Sequence, residues 1–196
     1  MTLPNQLTIL RIVLTPVYLF LFLSGNPLLK QLSLIVFFIA ALSDWYDGWL
    51  ARKFNYITDW GKFMDPLADK ILTSTAFIGF AIIGLLEWWM VIIIVVRDLV
   101  ITLLRAFADK KGFIFSTSYY AKWKTFMQMV FLYYLLIFYT GSISPQLNHK
   151  FGYLFKILLD EKLIYFAMLF ITLITIHTGI LYFTRNKNAI KRVFSE

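Results

Sequence analysis

The sequence contains no cysteine, which excludes a disulfide framework and any thiolate metal centre. Its two histidines, His149 and His177, are too far apart to suggest a metal-ligand spacing, so a bound metal would have to be held by oxygen. Charged residues make up 15% of the 196 positions, against roughly 25% in soluble domains. Alternating strand patterning is absent, which argues against a β-barrel. Internal repeats are absent too, and inverted repeats are what a transporter would be expected to show.

What the chain has instead is apolar helix-forming sequence. It is 60% hydrophobic and 19% aromatic, with a mean hydropathy of +0.72. A hydrocarbon core about 30 Å thick takes roughly 20 apolar helical residues per crossing, so six or seven spans would use up the chain. A net charge of +8 would suggest nucleic acid in a soluble protein. In a membrane protein it serves topology and anionic headgroups, and nucleic acid is set aside as a partner. Six apolar stretches, at 7–24, 28–50, 64–86, 88–108, 119–140 and 163–184, predict an all-α integral membrane bundle of six transmembrane helices forming one domain over 1–196. The first stretch is read as a retained span because no small-residue cleavage site follows it.

Basic residues set the orientation. Arg52, Lys53 and Lys62 fall in the second connection. Arg105, Lys110, Lys111, Lys122 and Lys124 lie in or beside the fourth, and Arg185, Lys187, Lys191 and Arg192 in the tail. The opposite side carries only Lys30, Lys150, Lys156 and Lys162. The positive-inside rule therefore predicts both termini and the second and fourth connections on the cytoplasmic side of the cell membrane. The 141–162 segment, with Pro145, Gly152 and Asp160-Glu161, is predicted to be an external loop with an amphipathic turn on the membrane.

The chemistry concentrates around the second connection. Asp44 and Asp47 are one helical turn apart, as are Asp65 and Asp69, so each pair shares a face, and two antiparallel helices would bring the pairs to one depth. Each aspartate within a span costs roughly 2.5–3.5 kcal/mol on insertion scales, so a bare cluster of four is untenable and positive charge must sit among them. Hard oxygen ligands select ions such as Mg²⁺, Mn²⁺ or Ca²⁺, and four carboxylates suffice for two of them. Taken singly, each is equally readable as a helix-end residue, the role assigned to Asp59. Gly48 and Gly61 flank the acids, either for helix packing or to admit a diphosphate close to the backbone. Arg52, one turn beyond Gly48, can reach that diphosphate or balance an aspartate.

The full pattern is Asp44-x-x-Asp47-Gly48-x-x-Ala51-Arg52, eight residues, then Gly61-x-x-x-Asp65-x-x-x-Asp69. It resembles the signature of the CDP-alcohol phosphotransferases at every fixed position. The resemblance implies six spans, a cytoplasmic active site, a homodimer and two bound Mg²⁺ or Mn²⁺ ions. It further implies that Asp44, Asp47, Asp65 and Asp69 share the metals, with Asp69 also the general base. Gly48, Ala51, Arg52 and Gly61 would border the CDP-lipid. Asn5, Thr8 and Arg11, at helical spacing on the first span, either anchor that helix or touch the nucleotide, and Asn5 and Thr8 are carried forward as CDP-lipid candidates.

Three further stretches, Pro4 to Arg11, Arg97 to Arg105 and Tyr120 to Gln128, resemble the branch of that family whose acceptor is glycerol 3-phosphate. That resemblance implies CDP-diacylglycerol as donor, with Arg97, Arg105, Lys122 and Lys124 holding the acceptor phosphate. The alternative for Lys122 and Lys124 is a role as helix-end anchors, and for Arg97 an ion pair with Asp98. Asp98 stands where this branch usually has glutamate, and Ala121 where it usually has glycine. Other acceptors, namely inositol phosphate, serine or phosphatidylglycerol, remain the near alternatives, and a divalent-cation transporter the remote one.

Overall fold

The computed structural model describes residues 3–54, 58–113, 115 and 119–195; the side chains of residues 3–4 and 191–195 and of Trp45, Ala51, Arg52, Phe54, Asp59, Lys62 and Asn188 lie outside that description. Seven helices follow one another: α1 (Leu3–Leu23), α2 (Pro27–Phe54), α3 (Asp59–Ile82), α4 (Trp88–Lys110), α5 (Tyr119–Ile143), α6 (Pro145–Leu158) and α7 (Glu161–Ser195). No strand occurs among the described residues.

Local sequence explains the breaks between them. Asn26 accepts the backbone N–H of Leu28 at 2.9 Å, and Pro27 opens α2 where a missing N–H costs nothing. Thr58 caps α3, its hydroxyl oxygen accepting the Gly61 N–H at 3.0 Å. Helices α3 and α4 end alike. Gly84 and Gly112 take the left-handed conformation, at φ 78° and 79°. Leu85 N–H then returns to Phe80 O and Phe113 N–H to Ala108 O, while the two glycine N–H groups bond Ala81 O and Asp109 O. This paired closure is the Schellman motif, which a Cβ at the glycine would strain.

Four helices are long and apolar enough to cross a bilayer by length and composition, over Asn5–Leu23, Pro27–Leu50, Tyr119–Ile143 and Glu161–Lys187. Helices α3 and α4 have 24 and 23 residues, a similar length. Their apolar runs, however, are broken by Asp65, Asp69 and Lys70 in one and Arg97, Asp98 and Arg105 in the other. These charges point into the bundle, as described below.

The 141–162 segment differs from the loop expected of it. Fourteen of its residues form α6, bent at Phe151. Pro145 occupies the first turn, where proline favours a helix start, and Phe155 buries itself on α5, its ring 3.1 Å from where a Cβ of Gly141 would stand.

Helix α1 packs on α2 and α3, α3 on α4, α4 on α7, and α5 on α2, α6 and α7. The core is aromatic: Tyr18, Phe22, Phe37, Phe77 and Phe80 are fully buried, with Met90, Leu132, Leu135 and Leu136 around them. Phe22 meets Phe80 edge-on at 5.0 Å between ring centroids. The outer surface is apolar as well, with Phe20, Val13, Leu28, Ile92, Phe126 and Phe166 all more than half exposed. That inverts the rule for a soluble protein and suits a lipid surround.

Gly79 lets α1 approach α3, since a Cβ there would lie 3.0 Å from the Phe22 ring. Gly79→Val should therefore lower the thermal unfolding midpoint in detergent, by an overpacking cost of roughly 1–3 kcal/mol. Gly25→Ala, where a Cβ meets nothing within 4 Å, should not. Equal midpoints for the two variants would refute this account of the α1–α3 contact.

Candidate active site

Helices α1, α2 and α3 build the acidic half of the site. Arg11 projects from α1 between the two aspartates of α2 and is completely buried. Its Nη1 lies 2.7 Å from Asp44 Oδ1, its Nη2 donates to Asp47 Oδ2 at 2.7 Å, and its Nε donates to the Ala40 carbonyl at 3.3 Å. The planar fork of guanidinium is suited to serving two acceptors at once. The two carboxylates fare differently: Asp47 is 3% exposed and shut in by Arg11, whereas Asp44 is 43% exposed and opens outward.

Thr8, one turn before Arg11, donates its hydroxyl to Asp65 Oδ1 at 2.5 Å. One turn earlier again, Asn5 Oδ1 accepts from the Thr58 hydroxyl at 3.0 Å, tying the start of α1 to the start of α3. Gly61 makes this approach possible: a Cβ would stand 3.1 Å from Thr58 Oγ1, 3.2 Å from Asn5 Oδ1 and 3.4 Å from Asp65 Oδ2. Asn5 thus joins α1 to the cap of α3, and Thr8 joins it to Asp65. Gly48 is half-buried on α2, one residue past Asp47. Ala51 and Arg52 follow on α2, their side chains outside the described residues, as is that of Asp59 at the start of α3.

The four aspartates share one neighbourhood. Asp44 lies within electrostatic reach of both Asp65 and Asp69, and Asp47 within reach of Asp44 and Asp65. Tyr133 of α5, stacked on Phe38 at 5.8 Å, lies within electrostatic reach of Asp69 and Asp44. With oxygen donors only, the set fits a hard divalent cation by its chemistry. Among the described residues no three carboxylates or imidazoles converge tightly enough to ligate an ion as they stand. Three of the four are engaged by α1, Asp44 and Asp47 by Arg11 and Asp65 by Thr8.

The basic half adjoins the acids through α3, where Lys70 follows Asp69. A cavity of about 390 Å³ is lined by Lys70, Arg97, Asp98, Arg105, Ala121, Lys122 and Tyr182, among others. Three of the four residues expected to bind an acceptor phosphate, Arg97, Arg105 and Lys122, meet in its walls. Lys122 is exposed, with its ammonium 5.2 Å from the Tyr119 ring centre. Lys124 is fully buried behind the wall and donates to Asp98 Oδ1 at 2.6 Å. The same oxygen accepts from Arg97 Nη1 at 2.9 Å, while Arg97 Nη2 donates to Thr178 Oγ1 at 3.1 Å. Gly179 leaves room for this arrangement, its Cβ position being 3.4 Å from Arg97 Cγ. Asp98 therefore balances Arg97, one of the two roles the sequence left open, and Lys124 belongs to that buried triad.

Sequence reasoning underrated Arg11 and missed Lys70 and Tyr133. The first was visible as Asn5, Thr8 and Arg11 on one helical face, the second as a cation next to Asp69. Nothing in the local sequence distinguishes Tyr133 from the chain's other tyrosines.

Comparison with known proteins identifies the family. The profile of the CDP-alcohol phosphatidyltransferase family matches residues 1–173. A CDP-diacylglycerol–glycerol-3-phosphate 3-phosphatidyltransferase of Bacillus subtilis is 32% identical over 202 aligned residues, covering 96% of this chain and 97% of the relative. The protein of that name from Rickettsia typhi is 33% identical, covering 92% and 94%. A probable phosphatidylglycerophosphate synthase of Mycobacterium tuberculosis H37Rv is 40% identical across 65% of this chain and 62% of its own length.

Arg11 dictates the stability of the acid cluster. Arg11→Met should destabilise the protein by roughly 3–5 kcal/mol, because it strands Asp47 in an apolar surround. Adding Asp47→Asn should recover part of the loss, read as unfolding midpoints of the single and double variants in detergent. Additive losses would mean that the pair is not coupled.

Proposed function

This chain belongs to the CDP-alcohol phosphatidyltransferase family, and we propose that it transfers the phosphatidyl group of CDP-diacylglycerol to sn-glycerol 3-phosphate. The products are phosphatidylglycerophosphate and CMP, which makes the protein a membrane transferase of phospholipid biosynthesis. The observation that carries this reading is an acidic cluster adjoining a cation-walled cavity at Asp69 and Lys70 of one helix, α3. The cavity is lined by four cations, Lys70, Arg97, Arg105 and Lys122, and one carboxylate, Asp98, an excess that a phosphate can offset and a neutral alcohol cannot.

In this reaction the acceptor hydroxyl oxygen attacks the phosphatidyl phosphorus. The bond from that phosphorus to the bridging diphosphate oxygen breaks, CMP departs, and Asp69 accepts the hydroxyl proton. Two Mg²⁺ or Mn²⁺ ions held by Asp44, Asp47, Asp65 and Asp69 would supply the positive charge that neutralises the diphosphate and the leaving group. Arg11 keeps Asp44 and Asp47 in place at the far side of the cluster. Gly48, Ala51, Arg52 and Gly61 border the CDP-lipid, with Asn5 and Thr8 beneath them. Arg97, Arg105 and Lys122 hold the acceptor phosphate, with Lys124 supporting Arg97 through Asp98. Six spans, with α3 and α4 as the charged inner pair, a homodimer, and an active site and termini at the cytoplasmic face of the cell membrane complete the proposal.

Purified protein in detergent should form phosphatidylglycerophosphate from CDP-diacylglycerol and glycerol 3-phosphate, and a chelator should abolish the activity until Mg²⁺ or Mn²⁺ is restored. Asp44→Ala and Asp65→Ala should be inactive yet membrane-inserted, and Asp69→Asn should lose kcat far more than CDP-lipid affinity. Activity of either alanine variant in excess chelator would defeat the metal assignment.

Acceptor kinetics test the basic half separately. Arg105→Ala or Lys122→Ala should cost on the order of ten- to a hundredfold in kcat/KM for glycerol 3-phosphate, since charge-assisted hydrogen bonds contribute roughly 1.5–3 kcal/mol each. If glycerol serves as well as its phosphate, the named acceptor is wrong.

A further inference from the structure

Lys70 stands between the two halves of the site. Successive residues on a helix point about 100° apart, so Asp69 and its neighbour face different partners. Asp69 lies within electrostatic reach of Asp44 on α2 and Tyr133 on α5. Lys70 lies within electrostatic reach of Asp98 on α4 and Lys124 on α5, and it is the residue by which α3 lines the cation-walled cavity. Its ammonium is 3.6 Å from Asp69 Oδ2, and its side chain is only 16% exposed.

Neither neighbouring carboxylate satisfies it. A charge-assisted hydrogen bond runs at about 2.7–2.9 Å, shorter than the contact with Asp69. Asp98 already spends one oxygen on both Arg97 and Lys124, and its other oxygen has no hydrogen-bond partner among the described residues. A largely buried lysine whose ammonium is 3.6 Å from Asp69 and within electrostatic reach of Asp98, at the edge of a cavity rich in cations, is placed to receive an anion from that cavity.

The acceptor's own chemistry requires such a group. Its attacking hydroxyl must come to Asp69, and only a three-carbon chain separates that hydroxyl from the phosphate ester. The dianion is thereby drawn towards the Asp69 carboxylate, which repels it through a medium of low dielectric. Arg97 and Arg105 stand on α4 and Lys122 on α5, in the other walls of the cavity. Lys70 is on the helix that carries the base.

We propose that Lys70 binds the acceptor's phosphate on the side facing Asp69, and that together with Arg97, Arg105 and Lys122 it makes the enzyme select a phosphorylated acceptor over a neutral alcohol. Its move from Asp69 to the phosphate leaves the carboxylate free to take the hydroxyl proton. This rests on the acceptor assigned under the proposed function.

The test compares wild type, Lys70→Met, Lys70→Gln and Lys70→Arg, with glycerol 3-phosphate, glycerol and CDP-diacylglycerol varied in turn and inorganic phosphate as a competing probe. Lys70→Met and Lys70→Gln should raise KM for glycerol 3-phosphate roughly ten- to a hundredfold and weaken phosphate inhibition in parallel. The KM for CDP-diacylglycerol should stay as in wild type, and the ratio of kcat/KM for glycerol 3-phosphate to that for glycerol should fall by at least the same factor, so the preference for the phosphorylated acceptor collapses. Lys70→Arg should retain most of it. A loss confined to kcat, or to CDP-diacylglycerol affinity, would overturn the proposal and leave Lys70 a supporting residue of the acid cluster. Wild type that prefers glycerol 3-phosphate, alongside a Lys70→Gln protein with unchanged acceptor KM and phosphate inhibition, would also overturn it. Wild type that shows no such preference would instead defeat the acceptor assignment on which it rests.

Discussion

Four carboxylates near the ends of two apolar helices are a liability until positive charge reaches them, and the arrangement of α1, α2 and α3 follows from how Arg11 provides it. The guanidinium is fully buried, bridges Asp44 and Asp47, and donates to the Ala40 carbonyl. Removing one partner from such a pair is far more damaging than the pair is stabilising, so the contact constrains the rotation and depth of α1. A shift of one residue along α1 would turn its face by about 100° and break Asn5–Thr58, Thr8–Asp65 and Arg11–Asp47 together.

The same separation of charge organises the rest of the site. Helix α3 presents Asp65 and Asp69 to α1 and α2, and Lys70 to α4 and α5. An anionic cluster and a cationic cavity therefore meet along α3, where Lys70 of the cavity stands 3.6 Å from Asp69 of the cluster, as a reaction joining a diphosphate to a phosphorylated alcohol would require. The cationic side is held together by a buried carboxylate. Asp98 ties Arg97 of its own helix to Lys124 of α5, and Thr178 with Gly179 seats Arg97 against α7. Packing and charge are inseparable here, since α4 meets α7 where a glycine admits an arginine stem.

Helix edges were legible where a capping residue or glycine marks them and misread where polarity was taken for irregularity. The third apolar stretch begins at 64, but the helix that carries it begins at Asp59, where the sequence already places a helix-end aspartate, and Thr58 caps it. Residues 141–162 looked like a loop for their Pro, Gly and acidic pair. Proline in a first turn starts a helix as readily as it ends one, and Phe155 packing over Gly141 holds that helix to α5.

The sequence by itself determined the solvent this protein lives in, its helical class, and the acid motif with its spacing. Those properties are one-dimensional: apolar length, charge sparsity and helical period are all read along the chain. It also determined that cations gather near residues 97–124. Only the tertiary structure decided which cation meets which anion: Arg11 with Asp44 and Asp47, Lys124 with Asp98 behind the cavity wall, and Lys70 at the boundary between acid and base. Helical periodicity tells which residues share a face but not which faces meet. That is settled by the rotation and depth at which helices pack, set here by Phe22 against Gly79, Asn5 against Thr58 and Arg97 against Gly179, contacts between residues far apart in the chain.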